Sequence, residues 1–559
     1  MPIMGTNSDM AKLPSQTKGF LARLLASQTG NALALTAAGL FPMLGLIGGG
    51  IDMSRLYLVK ARLQQACDAG ALAGRKQMAG GAWSYNSYAA RTVAENMFSA
   101  NFENNAYGTN TLAKAFTESS GKVTGTASIN VPMAIMQVFG IKTKALNVTC
   151  EADMRIPNTD VMFVLDVTGS MNSTNSGDSA PKITGLRKAV RCFYEALAKK
   201  DTTADCGSTP SGVSGNAQLR FGFVPYNTNV NVGKLLNNDW IANNWNYQSR
   251  EWLSGKWTYR QRSLNVSGLK AGGSSWNNSV SLPIGSSGGN SSIGWDGCIE
   301  ERKTVITTSF DPIPSDAWDL NINMIPNTGD PNTQWGPALE DAVWGRYTTS
   351  SSGWGTTYTD TVNDVSTSSN LDHNISYSCP PAAAKLSVYA SGSAFDTYVN
   401  TLTAGGNTYH DIGLIWGARL MSPTGLFASE NAFTPSGGEI ERHLIFMTDG
   451  DTVTDPGNYA AYGAAWWDRR QTPSGTAPTS TLLDAQVNAR FQAVCKYVKE
   501  VMHVHLWVVS FGSGVSGSAQ TALQNCAETN RYFLAKNSTE LNANFQQIAD
   551  EISQLRLTN

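Results

Sequence analysis

Fourteen residues, TDVMFVLDVTGSMN from Thr159 to Asn172, constrain this chain more than any others. VMFVL is a short continuous apolar run of the kind that fills a buried parallel strand. It leads into Asp166, Thr168 and Ser170, three oxygen-bearing side chains at i, i+2 and i+4. With Gly169 between them, the loop after the strand can fold these oxygens toward one point. The next segment, ITGLRKAVRCFYEALAKK, places Ile183, Leu186, Val190, Phe193 and Leu197 at helical spacing. Strand, polar loop and helix form a βα unit, whose loop hosts ligands at the carboxyl end of a parallel sheet. One carboxylate and two hydroxyls suit a hard divalent cation, Mg²⁺ or Ca²⁺, better than a soft one. They do not fill an octahedral shell alone, so other loops must contribute.

Two contributors lie far down the chain. HLIFMTDGD puts Asp449 after another apolar strand, and GGNTYHDIGLIWGARLM puts Thr408 just before a helical pattern. Each motif alone is weak, because an Asp after a strand is often only a helix cap and Thr-Asp-Gly is an ordinary turn. Their order, each at an element junction, carries the signal. Together they resemble the metal-ion-dependent adhesion site of von Willebrand factor type A (vWA) domains. The family's first motif, Asp-x-Ser-x-Ser, reads Asp166-Val-Thr168-Gly-Ser170 here, and Thr168 keeps the middle hydroxyl. The resemblance matches Thr408 to the second loop and Asp449 to the third. It implies hydroxyl oxygens from Ser170, Thr168 and Thr408, and a metal held directly or through water by Asp166 and Asp449. It also implies an open coordination position that a partner carboxylate fills. The implied cofactor is a divalent cation, Mg²⁺ first, with Ca²⁺ or Mn²⁺ as alternatives.

The rest of the chain fits such a sheet. QLRFGFVPYNTNV, HVHLWVVSFG and RYFLA read as strands, and ALQNCAE and ELNANFQQIADEISQLRL as helices. The last carries Leu541, Phe545, Ile548, Ile552 and Leu555 at three- and four-residue steps. This alternation predicts an α/β fold with a doubly wound, mostly parallel, Rossmann-like sheet, in two parts at 158–230 and 401–559. Between them, residues 231–400 form a loop-rich insertion. It holds ten of the 15 tryptophans, Trp240, Trp245, Trp252, Trp257, Trp276, Trp295, Trp318, Trp335, Trp344 and Trp354, among Gly, Ser, Asn and Thr. Such faces stack on sugars or bury against a protein partner. The reading preferred for most of them is the core of a domain poor in aliphatics.

From Gly30 to Ile51 no charged residue occurs, which is long enough to cross a hydrocarbon core of about 30 Å. The run continues without a turn signal into IDMSRLYLVKARLQQACDAGALAGRKQM, whose Leu56, Leu58, Val59, Leu63, Cys67 and Leu72 keep a helical pattern. A helix that leaves the bilayer and continues outside is preferred over a cleaved signal peptide. A tail at 1–29 on the cytoplasmic side and a large domain outside is the expected orientation. Residues 52–157 then make a helical, small α+β stalk, with a helical piece from Tyr88 to Phe98 and strands in KVTGTASINVP and KALNVTCEADMRI. The segment GNALALTAAGLFPMLGLIGGGIDMSRLYLVKARLQQACDAGALAG resembles the N-terminal region of TadG-like proteins of bacterial Tad (Flp) pilus systems. The ending, with CAETNRYFLA and FQQIADEISQLRLTN, is similar to that family too.

The eight cysteines include no CxxC pair, so a thiolate metal cluster is not expected. An even number outside a membrane permits disulfides. Cys67 and Cys150, Cys192 and Cys206, and Cys495 and Cys526 are candidate pairs among many. The GC and CP motifs around Cys298 and Cys379 are similar to motifs of TadG-like proteins, which implies a fourth.

A formal net charge of -2 gives no basic excess for nucleic acid. No HExxH or P-loop motif is present and no catalytic constellation is evident, so no enzyme is expected. The expected protein is an envelope-anchored binding protein of a pilus system, whose metal engages a carboxylate on pilus or pilus-assembly subunits. The alternative is a surface adhesin that binds glycan or protein through the insertion.

Overall fold

The computed structural model describes residues 28–78, 83–119, 122–153, 158–207, 218–352, 355–368, 370–371, 375–434 and 440–553. The expected tail, apart from its last residues, and Trp354 and Leu555 lie outside them. The chain divides into two compact units, with the boundary between Met154 and Arg155.

The first unit is built on one long helix, α1 (Gln28–Met78), which contains Pro42. Among the described residues its Leu35–Met78 portion is long and apolar enough to cross a membrane. The apolar run and the amphipathic run after it are thus one continuous helix. Beyond the uncharged part, Val59, Leu63, Ala66 and Ala71 are buried against α2 (Tyr85–Asn101) and a three-stranded sheet. That sheet is an antiparallel meander of β1 (Asn110–Ser119), β2 (Lys122–Pro132) and β3 (Thr143–Asp153). The sequence reading found β2 and β3 but not β1. In β1 only Phe116 is buried, so its alternation is faint. Cys67 of α1 and Cys150 of β3 form a disulfide.

The second unit centres on a six-stranded sheet in the order β6-β5-β4-β7-β8-β9. These strands are β4 (Asn158–Asp166), β5 (Leu219–Tyr226), β6 (Ala384–Ser387), β7 (Ile440–Gly450), β8 (His505–Gly514) and β9 (Tyr532–Ala535). All neighbours run parallel except β6, which pairs antiparallel with β5 at one edge. Apolar side chains project from both faces, as continuous runs such as VMFVL require. One face packs on α3 (Lys182–Ala198), α4 (Gly392–Val399) and α8 (Ser538–Ile552), with Phe163 at the centre of a ring cluster. Phe163 lies 5.2 Å from both Phe193 and Phe223 and 6.3 Å from Phe545, ring centre to ring centre. Truncating such a buried Phe costs about 3–5 kcal/mol. The other face packs on α5 (His410–Met421), α6 (Ser480–Glu500) and α7 (Gly517–Cys526). Both β6 and α4 come from within the segment read as an insertion. β6 is only four residues long, too short for a clear period.

The long segment between β5 and β6 has little regular structure beyond hairpins such as Asn244–Leu253 with Lys256–Asn265. Its tryptophans face inward: Trp257, Trp295, Trp335 and Trp344 are buried, and the other five described ones are partly buried. Trp335 packs 5.1 Å from Trp416 of α5, which fastens the segment to the sheet layer. Disulfides join Cys192–Cys206, Cys298–Cys379 and Cys495–Cys526. All four bridges are among the pairs expected from the sequence, and no cysteine is free.

Candidate metal centre

β4 and β7 are parallel neighbours, in register with Leu165 opposite Met447. Both chains therefore leave the sheet at the same end, and Asp166 and Asp449 arrive there together. Both are fully buried. Asp166 Oδ1 accepts the Thr168 N–H at 2.8 Å, which folds the loop back onto its own strand. That turn brings the Thr168 and Ser170 hydroxyls within 2.9 Å of each other. Ser170 then donates to Asp449 Oδ1 at 2.7 Å. Four of the five expected residues thus form one hydrogen-bonded constellation.

Thr408 is delivered by its backbone. Gly169 N–H donates to Gly406 O at 2.9 Å, and Gly405 N–H to Val167 O at 2.8 Å. Thr408 and Val453 exchange backbone bonds of 3.0 and 3.1 Å, so the Thr408 loop is tied to both of the others. Thr408 is buried and Ser170 is exposed, which leaves the constellation open to solvent on the Ser170 side.

Burial pushes the Asp166 carboxyl up to about 7, the Asp449 charge adds to this, and bonds from Thr168 and Thr448 oppose it. Two neighbouring buried carboxylates repel unless a cation lies between or beside them. Part of that need is met by Lys182, whose Nζ is 2.9 Å from Asp449 Oδ2. Sequence reasoning missed Lys182. The signal was its place as the first residue of α3, where the helix dipole disfavours a cation unless an anion holds it there.

Thr448 and His410 were missed as well. The Thr448 hydroxyl donates to Asp166 Oδ2 at 2.8 Å, and His410 Nε2 lies 2.9 Å from that hydroxyl oxygen. Burial lowers the His410 pKa to about 4, so the ring is neutral near pH 7. These two residues hold the oxygen of Asp166 that does not face Thr168. The donor set of carboxylates and hydroxyls, with one lysine for two carboxylates, fits a hard divalent cation.

Residues 30–91 match the family described as putative Flp pilus-assembly TadE/G-like. The N-terminal segment is TadE/G-like. No curated protein sequence matches the chain. Among solved structures, the pilus adhesin SpaC from Lactobacillus rhamnosus GG is similar at 11% identity and TM-score 0.30, over 79% of this chain and 34% of that one. The vWF domain of the type V pili tip protein Mfa5 from Porphyromonas gingivalis is similar at 10% identity and TM-score 0.29, over 72% of this chain and 98% of that one. Proximal thread matrix protein 1 from the mussel byssus, with a zinc-occupied MIDAS motif, is similar at 10% identity and TM-score 0.27, over 72% and 48%. The chain thus spans about a third of SpaC and about half of the byssus protein. The sheet order rests on the strand pairing of this chain alone.

Proposed function

We propose that the second unit is a vWA domain and that Asp166, Thr168, Ser170, Thr408 and Asp449 hold a divalent cation, Mg²⁺ in the first place. The observation that carries this reading is the constellation itself. Residues 279 positions apart in sequence, Ser170 and Asp449, meet at 2.7 Å beside a second buried carboxylate, on the side of the site that faces solvent. A bound cation would act as a Lewis acid that takes an oxygen from a partner. Asp166 and Asp449 would hold it from the buried side, and Thr168, Ser170 and Thr408 would supply neutral oxygens. Thr448 and His410 keep Asp166 oriented, and Lys182 offsets part of the Asp449 charge.

The TadE/G-like segment supports a role in a Tad/Flp-type pilus system. In this reading α1 anchors the protein in the cell envelope, and the second unit, outside the membrane, engages an Asp or Glu of a pilus or pilus-assembly subunit. Binding rather than catalysis follows from a site built to hold an ion and leave one position for a carboxylate. The inward packing of the described tryptophans gives no support to glycan binding through the insertion.

The test is co-purification of the tagged full-length protein with pilus subunits from envelope extracts. The reading expects capture in Mg²⁺, loss in EDTA, and loss in an Asp449→Asn variant that still folds. Capture that ignores both chelator and Asp449→Asn would sink it.

A further inference from the structure

The turn between β2 and β3, Met133-Ala-Ile-Met-Gln-Val-Phe-Gly-Ile141, is apolar in a place where polar turn residues are the rule. It does not stand off into solvent but lies along the uncharged part of α1. Phe139 meets Phe41 with ring centres 5.1 Å apart, edge to face. Ile135 fills the space over Gly48 so closely that a Cβ at that glycine would sit 2.3 Å from it, and Phe139 touches the position a Cβ would take at Gly45. The turn exposes Val138 (71%) and Ile141 (47%), and the part of the helix it packs on exposes Phe41, Leu44, Leu46, Ile47 and Ile51.

Its backbone is unusually well supplied. The amides of Ala134, Ile135 and Met136 all donate to the Asp52 carboxylate at 2.8 to 3.0 Å. The amides of Met133, Val138, Gly140 and Ile141 donate to carbonyls within or beside the turn. Even the Gln137 side-chain amide donates inward, to Ala134 O at 3.0 Å. Non-helical backbone at membrane depth is tolerated where it is packed against protein, as this turn is against Phe41, Gly45 and Gly48 of α1.

We propose that this turn is a second membrane-inserted element, a short apolar finger whose outer face is covered by lipid acyl chains. It rests on the reading of α1 as a membrane anchor. Phe41 precedes Asp52 by eleven residues, about 16 Å along a helix that rises 1.5 Å per residue. A bilayer surface above Asp52 or at its level therefore puts Phe139 near the middle of a core about 30 Å thick. A surface low enough to spare the turn would leave Phe41, Met43, Leu44, Leu46, Ile47 and Ile51 in water. Arg55, Lys142 and Lys144 follow the turn and the apolar run directly, where cations meet phospholipid headgroups. The finger would stop α1 from rotating and sliding, fixing the height and azimuth of the stalk.

The test uses the full-length protein in phosphatidylethanolamine–phosphatidylglycerol liposomes. Because every native cysteine is in a disulfide, a single added thiol takes a spin label specifically. Labels go at Val138→Cys, at Leu46→Cys in the anchor and at exposed Asn104→Cys in the stalk, and the ratio of oxygen to nickel-chelate accessibility is read. The proposal expects Val138→Cys to match Leu46→Cys and to exceed Asn104→Cys severalfold. If Leu46→Cys is lipid-exposed but Val138→Cys tracks Asn104→Cys, the finger is overturned and the anchor stands. If Leu46→Cys is also water-exposed, the anchor fails and the finger with it. Strong dipolar broadening between labels at Val138→Cys would show a second copy of the chain in place of lipid, and would overturn the proposal too.

Discussion

Glu301 and Asp319 are buried as deeply as Asp166 and Asp449, in the same unit, but the two pairs are neutralised in opposite ways. Glu301 receives Arg419 at 2.6 Å and the indole N–H groups of Trp416 and Trp335 at 2.7 and 3.1 Å. Asp319 receives Arg490 at 3.2 Å and the Tyr462 hydroxyl at 2.9 Å. Arg302 lies alongside, on the carbonyls of Met324 and Asn321. Three guanidiniums face three carboxylates, Glu301, Asp319 and Asp411, and all are sealed from solvent. Burial alone would raise the Glu301 carboxyl, yet Arg419, Arg302 and the indole bonds hold it below its ordinary value. At the other pair one lysine faces two carboxylates, the remaining partners are hydroxyls and the Thr168 backbone N–H, and burial with like charge raises Asp166 to about 7. A cluster closed by its own cations fastens the tryptophan-rich segment to α5 and α6. A cluster left short of cations, next to an exposed hydroxyl, is one that can take an ion from outside.

The sharpest way to break this contrast is to remove a cation from the closed cluster. Arg419→Ala should cost about 3–5 kcal/mol in denaturant unfolding, equally with and without Mg²⁺, because it strands a buried carboxylate. A loss under about 1 kcal/mol would mean that Glu301 was never dependent on its guanidinium.

At the open cluster the sign reverses. Asp166→Asn should leave the chelated protein as stable as wild type or more so, since it removes a buried charge that lacks enough partners. The same change should abolish the gain from Mg²⁺, which for wild type is about 2.7 kcal/mol at a hundred times the dissociation constant. Melting of both proteins with Mg²⁺ and with EDTA measures this.

The pH dependence sharpens the contrast further. Asp166 is raised from 3.8 to about 7 in the chelated fold. Its contribution to stability is therefore full below 3.8 and is lost as pH rises through about 7. A cation needs the carboxylate, so the Mg²⁺-induced rise in melting temperature should grow between about pH 5.5 and about pH 7.5. A rise that is flat across that range would contradict the environment described for Asp166. The smallest effect belongs to Lys182→Met. Removing the resident charge beside Asp449 should tighten Mg²⁺ binding by roughly 1 kcal/mol, read by calorimetry.

Much of this was legible before the fold was known. Strands such as VMFVL and HLIFM announce themselves because both faces are buried, and the five ligand candidates sit at the ends of such elements. The partners of those candidates were less visible. Lys182 looks like any surface lysine until the strand that carries Asp449 is placed beside α3. Thr448 and His410 contribute only through a contact between β7 and the start of α5. Arg419 and Arg490 of the closed cluster gave no local signal, because Glu301 and Asp319 lie more than a hundred residues away and the geometry is purely tertiary. β1 and β6 were hidden for a simpler reason: one buries little and the other is four residues long.

The central claim is that the carboxylates and hydroxyls at the ends of β4 and β7 hold a divalent cation. Calorimetric titration of Mg²⁺ into full-length protein in detergent tests it most directly, with folded Asp449→Asn as the comparison. The account predicts one saturable site in wild type and none in Asp449→Asn. Equal binding by both proteins, or none by either, would contradict it.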